Sequence, residues 1–516
     1  MPVTGIDFII IDDDPAPTEQ SRAAIVHVRT LEIWDKLGFV QNAISQGVKI
    51  RSVQVRERGR DVANLELAAD RQAADTPFPY ALGLPQSETE KLYVADLLAR
   101  GGLIEWNTRL NALDCRDGEV LAHVSDKSGG ERAIAARWVI GADGAQSVVR
   151  RSLAVDFPGG TYEIAAFLAD VIFEVPQSEG ELYLNLAHGG FVGILPLGRG
   201  RFRLFGAVPD SFVGVLESNG QRNVPVDLIQ SWFDDYFNVN ARIATAEWTS
   251  LYQVHRCIAG AFRVGSCFLV GDAAHIHAPA GGQGMNLSIG DAFNLAWKLA
   301  LVTRGDAHPA LVDSYELERR PIAEQVLKGS DRGFELEVTN NLLLERFRVH
   351  VFPLVLRVAG RFQSFREMVF ELFSQLWINY RASPVVAEIE HVDGPHAGDR
   401  APYGVFQAGE YRGVGIFELT NDVQHHVLIF EGVEARATLE KVTADVRAIL
   451  KQYRMGDVQI VPIISANTAL HHRYGANRSR LFLVRPDGHI GFEAPLDRLV
   501  NFEQYLRSLY VESVPK

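Results

Sequence analysis

Cysteine is scarce in this chain: three residues in 516, at Cys115, Cys257 and Cys267. They are odd in number and scattered, so they form neither a disulfide framework nor a zinc-ligand spacing, and a reducing cytoplasm is the compartment that follows. Basic residues are in the minority, 51 Lys+Arg against 64 Asp+Glu for a formal net charge of −13, which argues against a nucleic-acid partner. Long apolar runs are missing too. The best candidate for a membrane span, Ala292–Val302, is interrupted by Lys298, and the first residues carry no basic-then-apolar signal segment. There is no fixed-period repeat and no G-x-G-x-x-G. What remains is 47% hydrophobic and 22% charged, an ordinary globular composition long enough for two to four domains.

Phe8–Ile11 is apolar on both faces, which predicts a buried parallel strand ending at Asp12. Thr30 is expected to open a short helix over Leu31–Leu37, stopped by Gly38. Gln86–Leu98 reads as a longer helix, and Trp138–Ile140 and Phe268–Val270 as further buried strands. Between them, residues from about Tyr162 to Val208 alternate polar and apolar with glycine turns, an antiparallel meander. From Arg320 to about Ala382 the pattern is helical, and the Gly/Pro-rich stretch Asp393–Pro402 marks a domain boundary. Beyond it come a strand at Val427–Phe430, a helix near Ala435–Lys451, a strand at Val458–Ile464, a hairpin across Pro486-Asp487-Gly488 and a last helix near Phe502–Leu509.

The most specific segment is Gly271-Asp272-Ala273-Ala274-His275-Ile276-His277-Ala278-Pro279-Ala280-Gly281-Gly282-Gln283-Gly284-Met285-Asn286, which follows a strand and precedes a helix from Leu287 to about Val302. An acid at a strand's carboxyl end can accept hydrogen bonds from sugar-type hydroxyls. The glycines let backbone approach a ligand, and a helix start offers free N–H groups and positive dipole charge. A second segment, Gly141-Ala142-Asp143-Gly144-Ala145-Gln146-Ser147-Val148-Val149-Arg150, also follows a strand.

Together these segments resemble the class A flavoprotein monooxygenases, the para-hydroxybenzoate and phenol hydroxylase group, whose GD…GGQGMN…DA-x-NL-x-WKL block is completed here by Asp291-Ala292, Asn294-Leu295 and Trp297-Lys298-Leu299. Gln20–Ala23 with His27–Glu32, and Leu84-Pro85-Gln86-Ser87, resemble two further elements of that family. The resemblance implies an α/β, para-hydroxybenzoate hydroxylase-like fold: an FAD-binding parallel sheet with an inserted antiparallel substrate sheet. On it, 1–155 and 263–330 bind FAD, 50–82 and 156–262 form the substrate sheet, 331–390 is a helical link, and 394–516 is a thioredoxin-like domain. That last domain lacks C-x-x-C after Val427–Phe430 and so carries no thiol–disulfide chemistry, which leaves a structural or homodimer-contact role. The implied cofactor residues are Asp12, Arg22, Gln86, Asp143, Gly144, Gly271, Asp272, Pro279, Gly282, Gln283, Gly284, Met285 and Asn286. Asp272 takes the ribitol side, Gly282–Asn286 the flavin edge and Pro279 the reactive face.

The implied activity is hydroxylation of a small phenolic or related aromatic substrate. NAD(P)H, as NADPH or NADH, reduces FAD, and O2 becomes a flavin hydroperoxide that passes oxygen to the ring. Tyr183, His188, Phe191 and Phe205 are placed on the substrate sheet, without a named base. The histidine pairs His275/His277, His425-His426 and His471-His472 have no accompanying ligand set, so no metal is expected. A dehydrogenase would need its own phosphate-binding glycines, and a flavin halogenase a W-x-W-x-I-P-like segment; both are missing. The family opens one strand-glycine-helix unit earlier than Gly5-Ile6, with Asp12 at the ribose-binding acid. On that reading the chain is an N-terminally shortened enzyme that holds flavin weakly, the alternative being a degenerate paralogue acting as a non-catalytic partner.

Overall fold

The computed structural model describes residues 5–19, 22–57, 59–66, 75–116, 118–174, 178–187, 190–207, 224–234, 241–278, 280–338, 355, 358–359, 361–391, 393–433 and 438–513. Its largest sheet has eight strands, ordered His275–Ile276, Ile243–Ile258, Gly159–Phe173, Arg201–Ala207, Gly190–Gly198, Glu181–Ala187, Ser52–Glu57 and Arg60–Glu66. The expected meander forms its middle. Ser52–Glu57 joins it parallel to Glu181–Ala187, with Val55 opposite Leu184. The sheet buries one face under Trp232 and Phe233, packing Phe167, Phe173, Phe202 and Leu204 there.

Four helices carry the rest of the site. Helix α1 spans Val28–Leu37, α2 Gln86–Ala99, α3 Gln283–Arg304 and α4 Ala310–Val338. Three of these bounds correct the sequence expectation. Helix α1 starts at Val28, not at Thr30, because Thr30 turns inward and donates to Asn286 Oδ1 at 2.8 Å. Helix α3 starts four residues before Leu287, so Gln283–Asn286 form its first turn instead of a loop. Two consecutive left-handed glycines, Gly281 (φ 72°) and Gly282 (φ 65°), complete the turn and free the next residue to be helical. Helix α4 begins ten residues before Arg320 and runs through Pro321.

The parallel strands are shorter and more open than their all-apolar runs suggest. Ile10–Ile11 pairs with Ile104–Glu105, while Val139–Gly141 pairs with Cys267–Leu269. These ladders belong to separate sheets. Cys267–Leu269 is buried throughout, but Ile10 and Ile140 are each 37% exposed. Burial on both faces requires neighbours on both sides, and ladders of two and three strands do not supply them.

The C-terminal part is a five-stranded mixed sheet in the order Ala387–Glu388, Ile490–Pro495, Arg480–Val484, His426–Phe430, Gln459–Ile463. Leu439–Gln452, Thr468–Arg473 and Leu499–Leu509 are α-helices of this part. One apolar cluster runs from Phe268 and Leu269 through Leu295 and Leu299 to Val427, Leu483 and Phe492, so this sheet shares its core with α3 and α4.

Candidate active site

The two signature segments meet because their strands are neighbours. Val139↔Cys267 and Gly141↔Leu269 are in parallel register, and Val270 N–H donates to Gly141 O at 3.0 Å, so both loops leave the same strand ends. Arg150 ties them: its buried guanidinium donates to Ala145 O at 2.7 Å in one loop and to Ala273 O at 2.8 Å in the other. Asp143 spends its carboxylate on local structure, accepting from Ser147 Oγ (2.5 Å), Val148 N (2.6 Å) and Val149 N (3.0 Å). It thereby shapes the loop and caps the short helix Val148–Ser152. Gly144 follows at φ 73°, with no atom within 4 Å of the place a Cβ would take. Gly271 is also left-handed, and a Cβ there would sit 2.9 Å from Ser288 Oγ.

Asp272 is exposed at the end of this strand. Desolvation raises its carboxyl above the ordinary value, opposed by His275 and by Arg22, whose charge reaches it from the segment before Ile25–Val26. Gln86 stands beside that segment, accepting from Ala23 N at 3.2 Å and donating to Glu90 at 2.9 Å. Asp12 lies apart from this group, following Ile10–Ile11, where its carboxylate accepts from Asp14 N at 2.9 Å. Pro279 and His188 lie outside the described residues.

At the head of α3 no side chain caps the first turn, which also lacks acidic residues. The uncapped N–H groups and the dipole of a 22-residue helix face the Gly281-Gly282 turn. Gly282 could not carry a side chain freely, since a Cβ would lie 3.2 Å from Ile25 Cβ. Asn286 is used up internally. Its Oδ1 accepts from His27 N and Thr30 Oγ1, both at 2.8 Å, and its Nδ2 donates to Ile25 O and Gly282 O, both at 2.9 Å. An amide has two donors and two lone pairs, so the side chain is a staple holding Ile25, α1 and the glycine turn in register, and only its backbone faces the cradle. His27 donates through Nε2 to Gly281 O at 3.0 Å. Burial drops its pKa to about 4, only partly offset by the Gly281 and Gly282 carbonyls, so it is neutral. A glycine cradle, uncapped amides and an acid at the strand end fit the ring-and-ribitol end of a flavin.

Residues 3–330 match the family described as FAD binding domain. The chain belongs to this family of class A flavoprotein aromatic monooxygenases. It is 28% identical over 512 residues, 96% of this chain and 90% of the other, to the pentachlorophenol 4-monooxygenase of Sphingobium chlorophenolicum. The OxyS anhydrotetracycline hydroxylase from Streptomyces rimosus superposes with a TM-score of 0.73 at 24% identity, covering 99% of this chain and 95% of that one. An aklavinone-11 hydroxylase solved with FAD and aklavinone gives 0.75 at 22% identity, covering 98% and 95%. The fold is para-hydroxybenzoate hydroxylase-like, and the protein is an FAD-dependent aromatic monooxygenase. Among the described residues no helix is long and apolar enough to cross a membrane.

Alternation sorts the substrate-sheet candidates of the monooxygenase. Tyr183 faces the Trp232 core, and its hydroxyl donates to Glu181 at 2.7 Å. Phe191 and Phe205 face the other way, edge to face at 6.3 Å, in a cluster with Leu184, Leu186, Val254 and Ala278 of the segment before α3. Two residues here were not anticipated from sequence. Arg203, 2% exposed, grips Asp170 with Nε and Nη2 (2.6 and 2.7 Å) and reaches Ala23 O with Nη1 at 3.3 Å, holding the Arg22 segment against the sheet. Tyr252 is in the same apolar cluster, and burial pushes its hydroxyl up to about 12 against the pull of Arg203 and Arg22.

Beneath the loops lies a buried charge network that no local pattern signals. Asp291 Oδ2 accepts from Gly271 N (3.1 Å) and His275 Nε2 (2.7 Å), and Oδ1 from Arg319 (2.7 Å). Burial raises its carboxyl, but Arg319 and His275 outweigh that and hold it below the ordinary range. The Arg485–His489 hairpin plugs into the adjoining part of α3 and α4. Arg485 binds Glu318 at 2.7 and 2.9 Å, Lys298 binds Glu318 at 2.6 Å, and Asp487 accepts from Arg485 (2.5 Å), Trp297 (3.2 Å) and Asn294 (3.3 Å). Trp297, Lys298 and Asn294 of the signature block therefore serve this docking.

Proposed function

We propose that this monooxygenase hydroxylates a phenolic or related small aromatic substrate, with NAD(P)H and O2 as cosubstrates, between the sheet face at Phe191, Phe205 and Tyr252 and the loop at Ala278–Gly282. The single observation that carries this reading is the apolar cluster that joins these aromatic rings to the flavin loop. FAD is assigned to 1–155 with 263–330 and the substrate to 50–82 with 156–262. Asp272 and Arg22 hold the ribitol side, the amides of Gly282–Asn286 the ring edge, and Gln86, Asp143, Gly144 and Gly271 the walls of the channel, with Asp12 at the adenosine end.

Bound FAD supplies the two-electron and oxygen chemistry. The chain's own work is positioning and polarising. The apolar wall excludes water from the ring to be oxidised. Tyr252, with its pKa near 12, stays protonated at neutral pH and donates a hydrogen bond to the substrate oxygen, which favours the phenolate over the phenol. A phenolate is the more electron-rich ring, so this hydrogen bond acts directly on its reactivity. The test is phenol-stimulated NAD(P)H oxidation with a hydroxylated product. Tyr252→Phe, which loses one hydrogen bond to a charged oxygen, lowers kcat/KM about ten- to hundredfold. No stimulation by any phenol, or an unchanged Tyr252→Phe enzyme, overturns the reading.

A further inference from the structure

The strand Ala387–Glu388 and the turn after it bring together three side chains unrelated to the flavin loops. Glu388 Oε2 lies 3.1 Å from His396 Nδ1 and Glu388 Oε1 lies 3.4 Å from His391 Nδ1. The ligand atoms of Glu388, His391 and His396 all fall within 4.8 Å of one another. None of the adjacent histidine pairs in the sequence takes part; these two histidines are single, five residues apart, and meet because the chain turns sharply at Glu390 (φ 52°) and through Asp393-Gly394-Pro395.

A second, buried carboxylate adjoins the cluster. Glu388 stands in register beside Glu493 in parallel strands. Glu493 is fully buried, its Oε1 is 3.5 Å from His391 Nδ1, and its Oε2 has no hydrogen-bond partner. The nearest cation, Arg480, sits 3.5 Å from Oε1 and is otherwise engaged by the carbonyls of Ile389 and Glu390. A buried carboxylate oxygen without a donor is costly, and a positive charge on the Glu388–His391 side would offset that cost.

We propose that Glu388, His391 and His396 form a binding site for a divalent transition-metal ion of the Zn2+ type, with Glu493 as the buried carboxylate behind it. Two imidazoles and a carboxylate are the donor set such an ion prefers over Ca2+ or Mg2+. Donors about 2.0–2.1 Å from a tetrahedral ion are about 3.3 Å apart; His396 Nδ1 hydrogen-bonds Glu388 Oε2 at 3.1 Å and His391 Nδ1 lies 3.4 Å from Glu388 Oε1, contacts an ion would replace with little movement of the backbone. The imidazoles now stack, with centroids 3.7 Å apart and planes 11° from parallel. Binding turns each ring about Cβ–Cγ to aim Nδ1 at the ion, which side chains 34% and 36% exposed can do. The ion would clip the segment entering the C-terminal sheet to the strand Ile490–Pro495.

The experiment uses the full chain, freed of any affinity tag and stripped with chelator, titrated with Co2+ and Zn2+. One equivalent of Co2+ should give visible d–d absorption of tetrahedral intensity, displaced by Zn2+, and Zn2+ should raise the melting temperature. His391→Ala with His396→Ala should abolish both signals while the FAD spectrum is unchanged, and Glu493→Gln should weaken affinity about ten- to hundredfold. Absence of d–d absorption in the unmodified chain overturns the proposal, as does a signal that survives the double substitution.

Discussion

Replacing Glu318 by Gln tests whether the hairpin dock carries stability. Its carboxylate receives five donors: Arg485 Nη1 and Ser383 Oγ on Oε1, both at 2.7 Å, and Arg485 Nη2 (2.9 Å), Lys298 Nζ (2.6 Å) and Asn294 Nδ2 (2.7 Å) on Oε2. Burial alone would raise this carboxyl, but Arg485 and Lys298 overcome it and hold it far below the usual range. An amide keeps the shape, removes the charge and turns two N–H groups towards donors. Breaking one side of a fully buried pair costs about 3–5 kcal/mol, and that is the expected loss in urea unfolding followed by tryptophan fluorescence, which Trp297 reports from 3.2 Å off Asp487. Adding Arg485→Gln should cost less than the sum of the single changes, with a coupling of about 1–3 kcal/mol. The sign with pH is fixed. A carboxyl lowered by folding contributes fully above its unfolded pKa, about 4.3, and the contribution fades as pH falls below it, so the gap between the native chain and Glu318→Gln narrows in acid. A loss under about 1 kcal/mol at neutral pH would refute the reasoning, because a pair worth so little is not an uncompensated buried charge.

Asn286→Ala strands two donors and two acceptors around the glycine turn and should cost about 2–4 kcal/mol, measured by thermal unfolding, with FAD retention falling in parallel on gel filtration. Gly282→Ala should lose about 1–2 kcal/mol to left-handed strain and bind FAD more weakly by fluorescence titration, since the turn sets the α3 amides. Cys115 is exposed and its Sγ lies 3.8 Å from that of buried Cys267; thiol counting after peroxide treatment should show this pair lost together, while Cys115→Ser keeps Cys267 reduced.

The strand-loop-helix logic around Gly271 and Gly141 was legible because each motif is contiguous and its physics local. So was the meander, from alternation alone. The start of α3 was missed by four residues because Gln283-Gly284-Met285-Asn286 looks like loop chemistry until Gly281 and Gly282 are seen in the left-handed region. Tyr252 and Arg203 gave no signal, since which face a strand residue takes depends on phase. The partners of Asp291, Glu318 and Asp487 are 28, 167 and 193 residues away in Arg319, Arg485 and Asn294, and nothing in a single sequence encodes such pairings. Two of the three cysteines, scattered in sequence, come together for the same reason: Cys115 and Cys267 lie on strands of different sheets whose side chains only the fold brings within 3.8 Å.

The placement of the Arg485–His489 hairpin bears on how the helix at the site is held. Helix α3, whose first turn follows Gly281 and Gly282, is braced from behind by the closing hairpin of the C-terminal sheet. Glu318 meets Arg485 from 167 residues away, and Asp487 takes Trp297 and Asn294 of α3. Loosening the hairpin would therefore free one side of the helix that presents the uncapped amides.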